Sequence, residues 1–298
     1  MSLDLENVTA VQNIGEEEIL GHLMWFSVGK QLVKRGDLLT TLTQAGLEES
    51  WMPNPIRPSD AFRRATKEIE AKKSTATANV FENYLIREVF ADKEQIQRNI
   101  VVETVDQTGK RLNYDSQAGI ITLNKKDDSL IFVTSNDLAK ELCEEAEKRF
   151  KVYKDYYSAQ QLRVMVGKIL QSLAPTPVRP NGGVYFIPDS HTEGLNKLVR
   201  FTSALENSEG FKVPIVNTYD NQQMVNKKLS EHLENILLEC RSSEHLRKSQ
   251  VKELVIQANA VIKDYRNYKN IVQNEADHFG ERILLIKSEV TKLIENIE

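Results

Sequence analysis

The feature that most constrains this chain is an apolar repeat in its C-terminal segment, residues 221–298. No proline follows Pro214, and the only glycine in this segment is Gly280. Apolar residues recur there every seven positions: Val251, Ala258, Tyr265, Val272, Phe279, Ile286 and Leu293. A second apolar series follows the first, three residues later at the start and four residues later towards the end. A stripe with this period indicates amphipathic helix and requires a surface to pack against.

The drift between the two series is typical of a nearly straight helix rather than a strict heptad coiled coil. A continuous helix from Gln250 to Glu298 would be about 73 Å long at about 1.5 Å rise per residue. A shorter stripe precedes it, and the polar run 241–245 interrupts the pattern. We therefore predict a helical hairpin or coiled-coil-like arm over residues 221–298. The arm either projects or folds back on its own chain, and we expect it to pair with a second copy through the seven residues of the main series.

Composition narrows the classes of protein that fit. The formal net charge of −4 and the pI of about 5.9 argue against a dedicated polyanion binder, although a local basic face remains compatible with them. Only Cys143 and Cys240 occur, which is too few for a disulfide framework and favours a reducing, cytoplasmic location. No apolar run is long enough to span a membrane. Residues 1–19 are acidic and lack the layout of a signal peptide.

The body of the chain, residues 20–220, has the pattern of an α+β domain. Short apolar and β-branched runs joined by turn residues predict an antiparallel β-meander between residues 84 and 133. Further strands are predicted at 23–28, 184–188 and 212–216. Helical patterns flank the meander, beginning near Asp60 and near Asn136, where residues suited to a helix N-terminus occur. The fold class predicted is therefore α+β, with flanking helices and a C-terminal helical arm.

Two motifs and an aromatic strand resemble a known family. The motifs are the helix start 60–66, Asp-Ala-Phe-Arg-Arg-Ala-Thr, and the segment 179–188, Arg-Pro-Asn-Gly-Gly-Val-Tyr-Phe-Ile-Pro. The strand is 25–28, Trp-Phe-Ser-Val. Over residues 20–220 the chain resembles an uncharacterised domain family of unknown function found in bacteriophages, archaeal viruses, plasmids and prokaryotic genomes. The resemblance implies a phage or mobile-element setting, and it carries no activity, cofactor or catalytic residue.

Residues with catalytic chemistry do not form a convincing constellation. Asp189, Ser190 and His191 are adjacent, and adjacent residues cannot supply triad geometry by themselves. Gly182 and Gly183 precede a strand, whereas a dinucleotide fingerprint opens a helix. Scattered histidines lack the spacing of metal ligands. We therefore predict no catalytic residue, no metal and no cofactor, and we interpret the Asn-Gly-Gly segment as a structural turn.

A small basic cluster is the remaining candidate site. Basic residues near an aromatic side chain can contact nucleic acid. Here Trp51 lies close in sequence to several of them, and a further arginine flanks the Asn-Gly-Gly turn: Arg57, Arg63, Arg64, Lys67 and Arg179. The alternative interpretation is a solvated helix face whose cations pair with Glu68 and Glu70.

Two hypotheses of function remain. The first is a non-enzymatic protein–protein interaction or regulatory protein of a phage or mobile element, which forms a homo-oligomer through its C-terminal helices and binds a host or phage protein. The second is a nucleic-acid-binding or nucleic-acid-processing factor of such an element. The striped C-terminal segment favours the first hypothesis, and the basic cluster favours the second. Neither hypothesis involves a membrane.

Overall fold

The computed structural model describes residues 19–179, 183–243, 246–268, 271 and 276–295. Within them the chain forms eight α-helices and eleven β-strands, and every strand pairing is antiparallel. The mixed helix and strand content and the antiparallel meander confirm the coarse fold prediction. The chain divides into two compact units. Unit 1 comprises Met1–Gln31, Leu39–Met52 and Ala159–Glu298, and unit 2 comprises Leu32–Leu38 and Pro53–Ser158. Helix α1 (Arg35–Gln44) contributes residues to both units.

Unit 2 contains a five-stranded meander in which each strand pairs with the next along the chain. Its strands are β3 (Ala71–Ser74), β4 (Val80–Ala91), β5 (Gln95–Asp106), β6 (Arg111–Asn124) and β7 (Ser129–Thr134). Two short strands, β2 (Leu32–Lys34) and β8 (Tyr156–Ser158), pair separately. Helices α2 (Pro58–Lys67) and α3 (Asp137–Asp155) complete the unit.

One face of the meander is covered by α2 and α3. Helix α2 begins with Pro58 in its first turn, where a missing N–H costs nothing. The Asn136 side chain caps α3 by accepting a hydrogen bond from the backbone N–H of Ala139. Phe62 of α2 and Phe150 of α3 are buried and meet edge to face, with ring centroids 6.3 Å apart. Burying each ring contributes about 2–3 kcal/mol, so this contact anchors both helices on the sheet.

Unit 1 contains a four-stranded sheet with the order β11-β1-β10-β9. Its strands are β1 (Ile19–Val28), β9 (Thr176–Pro177), β10 (Val184–Pro188) and β11 (Ser208–Val216). Helices α4 (Ala159–Gln171) and α5 (Thr192–Ala204) belong to the same unit. Gly210 of β11 approaches α5 so closely that a Cβ atom there would lie 1.9 Å from Thr202 Oγ1. Glycine is therefore required for α5 to pack at this point.

The C-terminal segment forms three helices rather than one long one: α6 (Tyr219–Arg241), α7 (Lys248–Tyr268) and α8 (Ala276–Glu295). Their apolar residues bury one another in a single cluster that also includes Leu20 of β1 and Phe186 of β10. Helix α8 packs against both α6 and α7. The segment therefore folds back on the sheet of unit 1.

This arrangement differs from what the sequence suggested in two respects. The structure does not show a long coiled-coil arm, because the stripe is divided between α7 and α8 and is buried within the same chain. The expected boundary near residue 220 does not separate compact units, because α6, α7 and α8 share a core with β1 and β10. The chain instead separates at the meander, residues 53–158. The acidic segment predicted at 1–19 lies outside the described residues except for Ile19.

Pairing in the meander sets two element boundaries. Helix α2 ends at Lys67, because β3 begins at Ala71 and pairs with β4. Strand β6 is one long strand, and its pairing with β5 is irregular near residue 101. Among the described residues, no helix is both long enough and apolar enough to cross a lipid bilayer.

Candidate functional site

Helix α2 and its N-cap residue Arg57 supply four of the five predicted nucleic-acid-binding residues. Acidic side chains pair with the first two of them, Arg57 and Arg63. Arg57 Nε lies 2.7 Å from an Asp60 carboxylate oxygen one turn later. Arg63 forms a bidentate pair with Glu88 of β4, with donor–acceptor distances of 2.9 and 3.0 Å. The hydrogen bonds from Arg63 hold the pKa of Glu88 below its ordinary value. This planar two-bond geometry is the strongest form of arginine–carboxylate pairing, so it ties α2 to the sheet.

The other two cations of α2 are engaged in the same way. Arg64 pairs with Glu68 at 3.0 Å, and its guanidinium lies 3.8 Å from the centre of the Tyr153 ring. Lys67 pairs with Glu70. Burial alone would raise the pKa of Glu68, but hydrogen bonds from Tyr153 and Arg64 outweigh it and lower that pKa. The ion-paired helix face is thus the arrangement present, and binding of nucleic acid at these residues stays a prediction.

Arg179, the fifth predicted residue, lies in unit 1, whereas the α2 cluster lies in unit 2. It lines a groove of about 350 Å³ between the β9–β10 segment and helices α6 and α7. Polar side chains from β10, α6 and α7 also line the groove, among them Tyr185, Lys228, Glu231, His232, Asn235 and Asp264. Sequence reasoning missed this groove because its walls are brought together only by the folding back of the C-terminal helices.

Charges of both signs line the groove. Lys228 pairs with Glu231 at 2.7 Å. Burial raises the pKa of Asp264 to about 6, and the neighbouring Lys263 opposes that shift. Burial also lowers the pKa of His232, so its imidazole is neutral at pH 7. A groove with this balance is not a cationic channel for a phosphate backbone.

The triad-like run 189–191 forms a 3-10 turn before α5. Thr192 Oγ1 donates a hydrogen bond to Asp189 at 3.0 Å and lies 3.4 Å from Nδ1 of His22 on β1. His191 Nε2 is buried and has no hydrogen-bond partner among the described residues. The three adjacent residues therefore do not form a nucleophile–base–orienter chain. Asp189 instead accepts the hydrogen bond from Thr192, the first residue of α5.

The predicted oligomerisation residues are distributed over α7 and α8. Five of the seven are buried in the cluster shared with α6: Val251, Ala258, Phe279, Ile286 and Leu293. Tyr265 is half-buried and packs against the same cluster. Val272 lies outside the described residues. The described residues of this apolar stripe are therefore covered by other residues of the same chain.

An exposed apolar patch on the unit 1 sheet was not predicted. Trp25 of β1 lies opposite Phe211 of β11, and their ring centroids are 5.6 Å apart. Together with Val213, these side chains are 37–47% exposed. Further along the same strands, Leu23 and Ile215 pack against the cluster of α6, α7 and α8. The alternation Phe211, Val213, Ile215 was the available sequence signal, but it does not reveal which of these positions a helix covers.

Comparison with known proteins gives a family but no activity. A model described as a family of unknown function, DUF6744, matches residues 19–298. No curated protein and no solved structure matched the chain.

Proposed function

We propose that this chain, which belongs to the family of unknown function DUF6744, is a non-enzymatic interaction protein of a phage or mobile element. In this proposal it self-associates and also binds a host or phage protein. The observation that carries the proposal is the exposed patch formed by Trp25, Phe211 and Val213.

The patch has the properties of a protein-binding surface. Aromatic side chains bury a large area at a low entropy cost and are enriched in the centres of interfaces. Trp25 and Phe211 lie opposite each other on neighbouring strands, so the sheet fixes the backbone of both residues and keeps the two rings adjacent. A pair on a rigid backbone costs less entropy to order on binding than the same residues on a mobile loop. Contiguous exposed apolar area marks interaction sites in folded proteins.

Photo-crosslinking tests the patch. A photoreactive amino acid at position 211 should give one discrete adduct in cells that carry the phage or mobile element encoding this chain. The adduct should disappear when Trp25→Ser is added. The same reagent at Glu234, an exposed polar residue of α6, is the control and should give no such adduct. Equal labelling at the two positions, or none at position 211, would contradict a partner-binding role for the patch.

Assembly through the C-terminal helices is a further part of this proposal. Since Phe279 and Ile286 are buried within the chain, such assembly requires two copies to exchange α8. Exchange of an identical element creates no new contacts and is a low-cost route to a dimer. Isolated monomer and dimer fractions should then interconvert only under conditions that open the helices. Rapid re-equilibration after dilution, measured by light scattering, would argue against exchange.

A nucleic-acid-binding or nucleic-acid-processing factor is the second candidate function. It is supported by the four cations at the N-cap and along α2. The test is binding of the wild-type protein to single- and double-stranded nucleic acid at low salt, followed by Arg57→Gln with Arg64→Gln. The double variant should bind more weakly, and its deficit should shrink as salt rises, because fewer counterions are released. Lack of wild-type binding at low salt would exclude this candidate.

A further inference from the structure

Strand β7 (Ser129–Thr134) is an unprotected edge of the unit 2 sheet. It pairs with β6 on one side over six consecutive positions without a register shift. Among the described residues, no strand pairs with its other side. Its sequence, Ser-Leu-Ile-Phe-Val-Thr, contains no charge, no proline and no glycine. Such an edge presents alternate backbone N–H and C=O groups that are free to pair with another strand.

The other sheet edges in the described part of the chain carry protective features. Strand β3 exposes Lys72 and Lys73, and β11 contains Lys212 and Pro214. Strand β9 has only two residues, one of which is a proline. Charges, prolines and short length are the usual means of preventing edge-to-edge pairing. Strand β7 is six residues long and has none of these features, which points to an edge that is available for pairing with another strand.

The side chains of β7 show which face a partner strand would continue. Leu130 and Phe132 pack against the core beneath the sheet. Ile131 and Val133 point to the opposite face and are 62% and 66% exposed. Val133 lies opposite Ile120 of β6, so the apolar surface continues inward from the edge.

We propose that β7 pairs antiparallel with β7 of a second copy of this chain, joining two five-stranded sheets into one. This inference rests on the proposed self-association and assigns it to the β7 edge, as an alternative to the exchange of α8. A two-fold axis at Phe132 places Ile131 of each copy opposite Val133 of the other. Cross-strand pairs of β-branched residues are favourable. In this register the paired Ile131 and Val133 side chains lie on the same face of the joined sheet, as cross-strand partners must. A self-complementary strand fits the two-fold symmetry of most homodimers.

Charge at the strand ends sets the salt dependence of this pairing. Asp127 precedes β7 and is exposed, and its carboxylate accepts hydrogen bonds from the backbone N–H and the hydroxyl of Ser129. Those bonds hold its pKa below the ordinary value, so it is an anion at pH 7. Asp137 follows the strand, so an antiparallel pair brings these two exposed acids towards each other. Salt screens such repulsion, so the dimer should tighten as salt rises.

Light scattering on the full chain tests the pairing. The wild type should show twice the mass of a single chain at micromolar concentration, and Val133→Lys should shift the equilibrium to the monomer. Ile256→Lys is the matched control, because Ile256 is 68% exposed on α7 and should leave the dimer unchanged. Both substitutions are at exposed positions, so far-ultraviolet circular dichroism spectra like that of the wild type should show that folding is intact.

A disulfide experiment tests the register itself. Mixing Ile131→Cys with Val133→Cys protein should give a crosslinked dimer on oxidation, whereas each variant alone should crosslink far less. A wild-type monomer at all concentrations would overturn self-association together with the β7 contact. A wild-type dimer that Val133→Lys leaves intact would overturn the β7 contact alone. Neither result bears on the photo-crosslink at Phe211, which tests partner binding separately.

Discussion

The hydroxyl of Tyr268, near the end of α7, donates a hydrogen bond of 2.7 Å to the backbone carbonyl of Ala174. The same oxygen accepts a hydrogen bond of 2.8 Å from Thr176 Oγ1 at the start of β9. All three residues are buried, and the Tyr268 ring lies 6.1 Å from that of Phe186. Ala174 has a positive φ of 52°, a conformation that costs a non-glycine residue free energy. Tyr268 therefore fastens α7 to a strained turn beside the sheet.

Replacing Tyr268 by phenylalanine should destabilise the protein by about 1–3 kcal/mol, because the Thr176 hydroxyl and the Ala174 carbonyl lose a buried partner. Urea denaturation measures the change. Tyr219→Phe is the matched control, since Tyr219 is exposed at the start of α6 and should shift the midpoint little. Similar effects in both variants would show that the buried hydrogen bonds do not secure α7.

A second prediction concerns the buried apolar side chains of α8. Phe279→Ala should cost about 3–5 kcal/mol, because it leaves a cavity in the cluster shared by α6, α7 and α8. Leu284→Ala, on the exposed face of the same helix, should change stability by no more than about 0.5 kcal/mol. Thermal unfolding followed by circular dichroism distinguishes the two. A small loss for Phe279→Ala would mean that α8 does not pack as described.

The sequence predicted the meander and the helical stripe well because both depend on local periodicity. Alternating apolar residues in β4 to β7 and turns such as 106–109 fix a hairpin locally. The stripe from Val251 to Leu293 was recognised, but its partner was not. Periodicity requires a covering surface and cannot say whether that surface belongs to the same chain. Only the long-range contacts with Leu20 and Phe186 decide this.

The candidate surfaces were harder to predict for the same reason. The sequence suggested nucleic acid, or Glu68 and Glu70 on the same helix, as partners for the cations of this cluster. The partner of Arg63 is instead Glu88, which lies on a strand that the sheet brings beside α2. The exposure of Trp25 depends on where the C-terminal helices stop covering β1. The unpaired side of β7 depends on its being last in the sheet order. Each of these properties arises from packing between segments that are distant in the sequence.

Replacing two glycines by alanine, Gly183 in the turn before β10 and Gly167 in helix α4, should change stability in opposite directions. Gly183 has a φ of +60°, in the region that disfavours side chains, and no atom would contact an added Cβ. Gly183→Ala should therefore destabilise the fold by about 1–2 kcal/mol through its backbone alone. Gly167→Ala, inside helix α4 with equally open space, should stabilise it by up to about 1 kcal/mol. Gly182, which the sequence also assigns to this turn, lies outside the described residues.

Chemical denaturation of both glycine variants checks these signs. If Gly183→Ala matches the wild type, the turn does not need a residue that accepts positive φ. If Gly167→Ala fails to stabilise, helix propensity does not limit α4 at that point.

The half-buried carboxyl of Asp264 should make stability depend on pH. Burial raises its pKa from the ordinary value of 3.8 to about 6 in the folded protein. Between about pH 4 and pH 6 the folded chain holds a proton that the unfolded chain has released, so this group lowers stability as pH rises through that window. Above about pH 6 its contribution is constant.

Asp264→Asn removes the titrating group, so the variant should gain little at pH 4 and be more stable than the wild type at pH 7. Melting temperatures measured across this range give the difference directly, and the gap should widen between pH 4 and pH 6 and then level off. Glu234→Gln changes an exposed carboxylate on α6 and serves as the control for the loss of one carboxylate, with a small difference in stability. A gap for Asp264→Asn that is the same at pH 4 and pH 7 would mean that its carboxyl ionises in the folded protein as readily as in the unfolded chain.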